Sequence, residues 1–251
     1  MKRLMIIPAA GSGSRLESHL PKAIFPVLGR PMIEYLFDLY TPFVERFVLV
    51  VNPASEGAVR ACCESVGVPV EFTIQESPTG MLDAILIPHD VVDRAQPDEI
   101  WITWCDQIAV SSRTVQRLAE AAAKSVGFEL VMPTVVMPAP YIHWVRNADG
   151  LITGVLQKRE GDVMPDVGEG DIGLFCLSRR AYLDLLPRFA SDAARGRATQ
   201  EKNFLPFVPW LVAQHDSASP VHTIPATSTA EAVGINTPAD VALIERYLTD
   251  A

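Results

Sequence analysis

Leu4-Met5-Ile6-Ile7-Pro8-Ala9-Ala10-Gly11-Ser12-Gly13-Ser14-Arg15-Leu16 is the stretch from which the rest of the chain is read. Leu4–Pro8 is a continuous apolar run, the pattern of a strand buried on both faces of a parallel sheet. A glycine-rich turn follows at once. In an open parallel sheet ligands sit beyond the carboxyl ends of the strands, which is where this turn falls. Glycine lets successive backbone amides come close to phosphate oxygens. Arg15 adds a planar fork for phosphate, and Lys22, after Pro21, adds a mobile point charge. The run is not a P-loop, because no glycine-lysine-serine or glycine-lysine-threonine closes it. Nor is it the dinucleotide fingerprint, because Leu16 stands where the third glycine belongs.

Outward from this stretch, short β-type runs alternate with helical spacing. Residues 31–40 suit a helix opened by proline, 47–51 a buried strand, 56–66 a helix and 70–74 a strand. A helix is expected to begin in 80–87, a strand to run over 100–104, and an alanine-rich helix over 112–125 capped by Ser111 or Ser112. This alternation predicts an α/β fold: a Rossmann-like, doubly wound, mostly parallel mixed sheet with helices on both faces. In the second half, 130–136 and 151–156 are strand-like around the turn at 147–150, and 172–177 is another strand. These are expected to add antiparallel pairs to the sheet. The polar stretch 191–202 reads as a mobile loop, and 238–248 as a closing helix. No repeat or linker interrupts the chain, so one domain over 1–251 is expected.

The chain has 251 residues, 49% of them hydrophobic, enough for a sizeable core. A formal net charge of −9 argues against nucleic acid as a partner, because no basic surplus exists to displace phosphate counterions. The four cysteines, Cys62, Cys63, Cys105 and Cys176, lack the paired spacing of a zinc site and read as buried thiols in a reducing compartment. The five histidines have no metal-binding spacing, and no nucleophile elbow of a hydrolase occurs. The apolar run after the N-terminus is too short for a signal peptide, and no run is long enough for a membrane span. A cytoplasmic protein with no membrane partner is the expectation.

The stretch from Pro8 to Tyr35, PAAGSGSRLESHLPKAIFPVLGRPMIEY, resembles the signature of the sugar-phosphate nucleotidyltransferase family. That family includes N-acetylglucosamine-1-phosphate uridylyltransferase and glucose-1-phosphate thymidylyltransferase. The resemblance implies transfer of a nucleoside monophosphate from a nucleoside triphosphate to a small phosphorylated acceptor, with release of pyrophosphate and with Mg2+ as cofactor. It implies that Ala10, Gly11 and Gly13 bring loop amides to the triphosphate, and that Arg15 and Lys22 are catalytic. The segment from Gln75 to Gly80, QESPTG, is similar to the family's base-reading segment and favours UTP or dTTP. Asp106, at the end of the strand over 100–104, and Asn236, in GINTPAD before the last helix, match the family's metal ligands.

The acceptor side departs from the pattern. Gln157 stands where the family carries glutamate, Asp171 where the acetylglucosamine enzymes carry asparagine, and His143 where they carry glycine. With Lys158 or Arg159 against the acceptor phosphate, these residues are the implied acceptor site, and the three changes argue against N-acetylglucosamine 1-phosphate. The resemblance spans about residues 3 to 248 and implies a transferase domain without the acyltransferase β-helix of the bifunctional members. Two rival readings stay open: a cytidylyltransferase for a non-sugar phosphate such as phosphocholine, and a nucleotide-binding regulator without turnover.

Overall fold

Arg3–Pro8 (RLMIIP) forms strand β1, and the side chains of Leu4 to Ile7 are at most 1% exposed. A strand sends successive side chains to opposite faces. Met5 and Ile7 accordingly join one apolar cluster and Leu4 and Ile6 a second, so the run needs apolar partners on both sides. The computed structural model describes residues 1–11, 13–125, 127–215 and 219–250 and supplies those partners.

The elements that follow in the first half are β2 (Pro26–Val27), β3 (Arg30–Pro31), α1 (Met32–Tyr40), β4 (Arg46–Val51), α2 (Glu56–Val66) and β5 (Val70–Ile74). Then come α3 (Met81–Leu86), α4 (His89–Ala95), β6 (Glu99–Thr103) and α5 (Ser112–Lys124). The second half holds β7 (Leu130–Pro138), β8 (Ile142–Arg146), β9 (Ile152–Gln157), β10 (Val167–Asp171) and β11 (Leu174–Ser178). The last elements are α6 (Leu186–Asp192), α7 (Phe207–Ala213), β12 (Val221–Pro225) and α8 (Pro238–Asp250).

The main sheet has the order β10-β7-β11-β6-β1-β4-β5, with β12 also paired to β7. β1 is parallel to β4 and β6, and β5 is parallel to β4. β11 runs antiparallel to β6 and β7, and β10 antiparallel to β7, so the mixed α/β sheet expected from the sequence is what forms. Residues of α1, α2, α5 and α8 cover one face, and residues of α3, α4, α6 and α7 the other. In α1, Met32, Ile33, Leu36, Phe37 and Tyr40 are all buried, which is helical spacing turned toward the sheet. β4 and β5 are added on one side of β1 and β6 on the other, and this switch in strand order opens a crevice at the carboxyl ends of β1 and β6.

One pairing differs from the sequence expectation. The turn at 147–150 joins β9 to β8, not to 130–136, and β8 and β9 form a separate two-stranded sheet. β7 ends at Pro138, and Ala139 has a φ of 45°, so the chain leaves the main sheet before the hairpin begins. Asn147 Oδ1 accepts from the amides of Asp149 and Leu151 and closes the turn. No helix of the described residues is long and apolar enough to cross a membrane. None of the four cysteines is in a disulfide.

Candidate functional site

Two cavities of about 400 and 420 Å³ lie side by side at the carboxyl edge of the sheet. They share Arg15, Met81, Trp104, Asp106, Arg159 and Asn236 as common wall. Ala10, Gly11, Gly13, Lys22, Gln75 and Gly80 line the first cavity only, while Gln157 and Asp171 line the second.

The loop after β1 sets the first cavity. Asn52, just beyond β4, donates its side-chain amide to the carbonyl of Ala10 at 2.7 Å and holds the loop to the sheet. Gly13 has a φ of 62°, a conformation that favours glycine, and a Cβ there would stand 3.1 Å from the Lys22 Cβ, so glycine leaves Lys22 room to pack closely over the turn. Arg15 follows in a single tight turn, with Leu16 buried beneath it. Lys22 opens the next turn, anchored by the fully buried Ala23.

Lys22 is the hub. Its ammonium pairs with Asp106 Oδ2 and donates to Asn236 Oδ1 at 2.8 Å, and Arg15 donates to the same Asn236 oxygen at 2.8 Å. Asp106 arrives from the end of β6. The Ile235 amide donates to the Asp106 carbonyl at 3.1 Å, which ties the segment before α8 to the strand end. Asp240 accepts from the amides of Asn236 and Thr237, while Thr237 caps α8 in return, so Asn236 is aimed by a capping arrangement. The four residues that the sequence assigned to catalysis and metal binding therefore form one hydrogen-bonded cluster.

Two hard oxygens, Asp106 Oδ2 and Asn236 Oδ1, converge on one cation-sized position, now taken by the lysine ammonium. That donor pair suits Mg2+, which takes few protein oxygens and completes its octahedron with water and phosphate. Among the described residues, no group of three or more His, Cys, Asp or Glu could hold a metal by itself.

At the far wall of the first cavity, Gln75 is 7% exposed and donates Nε2 to the Gly80 carbonyl at 3.2 Å. Gly80 has φ 128° and ψ 172°, a region open essentially to glycine. A Cβ there would lie 2.5 Å from the Lys202 carbonyl oxygen. Lys202 pairs with this segment through its amide to Thr79 O and its carbonyl to the Leu82 amide, both at 3.1 Å. The stretch 191–202, expected to be mobile, is thus docked. Glu160 holds it further, accepting from Ala198 N, Asn203 Nδ2 and the amide and hydroxyl of Thr199. Burial alone would raise the Glu160 pKa, but these hydroxyl and amide donors outweigh it and bring it down to about 2.

On the acceptor side, the structure separates the expected residues. Gln157 and Asp171 line the second cavity, and Arg159 lines both while forming a bidentate pair with Glu201 at 3.0 and 3.1 Å. Lys158 is exposed and lines neither cavity. His143 lines neither as well. Its Nδ1 accepts from the Glu169 amide at 3.1 Å, and its ring packs over Gly168, where a Cβ would clash at 2.5 Å. Its place is between β8 and β10, a packing role that the single-sequence comparison with a family glycine did not reveal. Gln107, Trp104, Tyr141 and Glu201 line the cavities without having been assigned from sequence. Gln107 alone carried a signal, its position next to Asp106.

Residues 5–203 match the family described as MobA-like NTP transferase domain. The bifunctional protein GlmU of Geobacillus thermodenitrificans is 26% identical over 259 residues, covering 100% of this chain and 52% of the relative. That of a Thermus thermophilus strain is 27% identical over 244 residues, covering 97% of this chain and 51% of the relative. The chain thus spans about half the length of these relatives. In fold it is similar to a CMP:2-keto-3-deoxy-manno-octonic acid synthetase complexed with CTP, with a TM-score of 0.69, 17% identity, and 100% and 99% of the two chains covered. With the match running over most of its length, the chain belongs to the family of MobA-like NTP transferase domains, a nucleotidyltransferase family.

Proposed function

We propose that the chain transfers a nucleoside monophosphate from UTP or dTTP to a sugar 1-phosphate, forming a nucleotide sugar and pyrophosphate. The observation that carries this reading is the meeting of Arg15, Lys22, Asp106 and Asn236 between two adjoining cavities. A triphosphate in the first cavity and an acceptor in the second would present their reacting groups at this common wall.

An acceptor phosphate oxygen attacks the α-phosphorus in line. The bond from the α-phosphorus to the bridging oxygen breaks, and pyrophosphate leaves with the electron pair. An ionised phosphate is already nucleophilic, so no general base is required, and the barrier falls through positioning and charge neutralisation. Lys22 faces the α-phosphate and Arg15 the leaving pyrophosphate. Asp106 and Asn236 would hold Mg2+, which would supply positive charge to the phosphate oxygens. With its Nε2 engaged by Gly80, Gln75 keeps Oε1 for the base, an acceptor suited to the N3–H of uracil or thymine.

The same oxygen also suits the amino group of cytosine, which supports a second reading with CTP. Pyrophosphate release is measured with each triphosphate, Mg2+ and a panel of phosphorylated acceptors. Release with UTP or dTTP and a sugar 1-phosphate is expected. Dependence on CTP transfers the result to the second reading. Nucleotide binding without release over the whole panel overturns both.

A further inference from the structure

Arg159 reaches the wall between the two cavities from the short turn after β9, and Glu201 lines the first cavity from the docked stretch. The two side chains have no other side-chain hydrogen bond among the described residues. Their pair is end-on, through Nη1 and Nη2, which leaves the Arg159 Nε–H and one N–H on each Nη for a phosphate. Arg159 has a long stem that is 55% exposed, so without Glu201 the guanidinium would sample many rotamers.

Glu201 is itself fixed by its surroundings. Its amide donates to Thr199 Oγ1 at 3.2 Å, and its carbonyl accepts from the Gly196 amide at 2.8 Å. The next residue, Lys202, is bonded by its backbone to Thr79 on one side and Leu82 on the other. A Cβ on Gly80 would stand 3.0 Å from the Glu201 Cβ and 2.5 Å from the Lys202 carbonyl oxygen. At such distances the segment with Gln75 and Gly80 and the stretch with Glu201 cannot slide past one another. A base seated against Gln75 and Gly80 would restrain that segment, then Glu201, then Arg159. The guanidinium would meet an acceptor phosphate already ordered, so the second ligand would lose less entropy than the first.

We propose that Glu201 is a positioning residue that couples the two cavities, so that a nucleotide in the first and a phosphorylated acceptor in the second strengthen each other's binding. The inference rests on the transferase reading of the site and deepens it. Linkage makes the effect reciprocal, and either ligand can be the one measured.

The test uses the full chain with Mg2+ and α,β-imido UTP, whose α–β bridge the reaction cannot break, and with α,β-imido CTP as a second arm. Calorimetry gives nucleotide affinity without and with saturating glucose 1-phosphate or phosphoethanolamine, and the ratio of the two is the coupling. In wild type a ratio of about 5–50 is expected for at least one pair of ligands. Glu201→Ala and Arg159→Ala are each expected to bring it below about twofold, and the double variant no lower, because both residues belong to one link. Glu201→Gln, which keeps the length of the side chain and one accepting oxygen, is expected to recover part of the ratio. Melting temperatures should stay within about 4 °C of wild type, since an exposed ion pair adds little stability. A wild-type ratio near one for every pair overturns the proposal. So does a Glu201→Ala ratio equal to that of wild type, whatever the acceptor affinity alone, because Glu201 then only orients Arg159. Pyrophosphate release is followed separately with UTP and CTP. Its absence with every acceptor defeats the transferase reading, while the calorimetric ratio still decides the coupling.

Discussion

Lys22 Nζ lies 2.8 Å from Asn236 Oδ1, although 214 positions of chain separate the two residues. The contact closes a ring from the glycine-rich loop after β1, through Asp106 at the end of β6, to the segment before α8. In the free protein the ammonium occupies the point where the two oxygens meet. If Asp106 and Asn236 hold a divalent cation as proposed, that cation and the lysine would compete for one place.

Lys22→Ala consequently has two opposite effects. Turnover is expected to fall on the order of 10²–10³-fold, since a charge contact to the reacting phosphate is lost. Binding of Mg2+ to the nucleotide-free protein is expected to strengthen, because the ammonium no longer neutralises Asp106. Rate assays and calorimetric Mg2+ titration check the pair. Near-normal turnover would remove Lys22 from the machinery, and unchanged Mg2+ affinity would remove the competition.

Gly80→Ala tests the far wall of the first cavity, the proposed nucleotide site. The backbone there is in a region that alanine avoids, and the added Cβ would meet the Lys202 carbonyl oxygen at 2.5 Å. Strain and overpacking together cost about 2–4 kcal/mol. A melting temperature lower by about 5–10 °C and a raised KM for the triphosphate are expected. A melt that matches wild type would show that the docked stretch around Lys202 is easily displaced.

Acid should release that same stretch. The folded-state pKa of Glu160, about 2, lies below the ordinary carboxylate value of about 4.3, so its contribution is complete above the higher figure and fades as pH falls through the lower. Hydrogen exchange at Ala198 and Thr199 is expected to gain an acid-dependent opening between these limits. Glu160→Gln should expose both amides already at neutral pH, with faster exchange by about tenfold or more, and should show no further opening in the acid window.

How far sequence reasoning reached follows the physics of each segment. β1, β4 and β6 are buried on both faces, and their uninterrupted apolar runs announced them. β10 carries Gly168 and Gly170 at an edge of the sheet, which depletes its strand signal, and β12 has strand-type Val221, Thr223 and Ile224 but is a five-residue run that ends in Pro225. α7 contains Pro209 near its start and is only seven residues long, while α6 continues from a π-helical turn over Ala181–Leu185 whose wider pitch, with Pro187 just after it, blurs the helical period. That Arg15, Lys22, Asp106 and Asn236 cluster was legible because their residue types follow from charge and backbone access, whereas the wall of the second cavity was not. His143 had a substitution to mark it but no way to show that its ring points between strands, and Tyr141 enters the wall just ahead of the β8–β9 hairpin, whose departure from the main sheet the sequence does not announce.

Lys158 and Arg159 show what the fold adds, because both are cations in the right stretch and sequence alone left the choice between them open. They sit in one short turn after β9, where successive side chains diverge. Arg159 reaches the wall shared by the two cavities and is held there by Glu201, whereas Lys158 stays in solvent. Exposed pairs of this kind contribute little to stability, about 1 kcal/mol or less, so the Arg159–Glu201 contact serves chiefly to orient the guanidinium. Arg159→Ala is therefore expected to lower kcat/KM for the acceptor by about 10–100-fold with little change in melting temperature. Arg159→Lys should recover only part of this, since an ammonium lacks the planar fork. Lys158→Ala should match wild type within twofold. Steady-state kinetics with the acceptor varied at saturating triphosphate checks all three, and the opposite ranking of the two alanine variants would place the acceptor phosphate outside the shared wall.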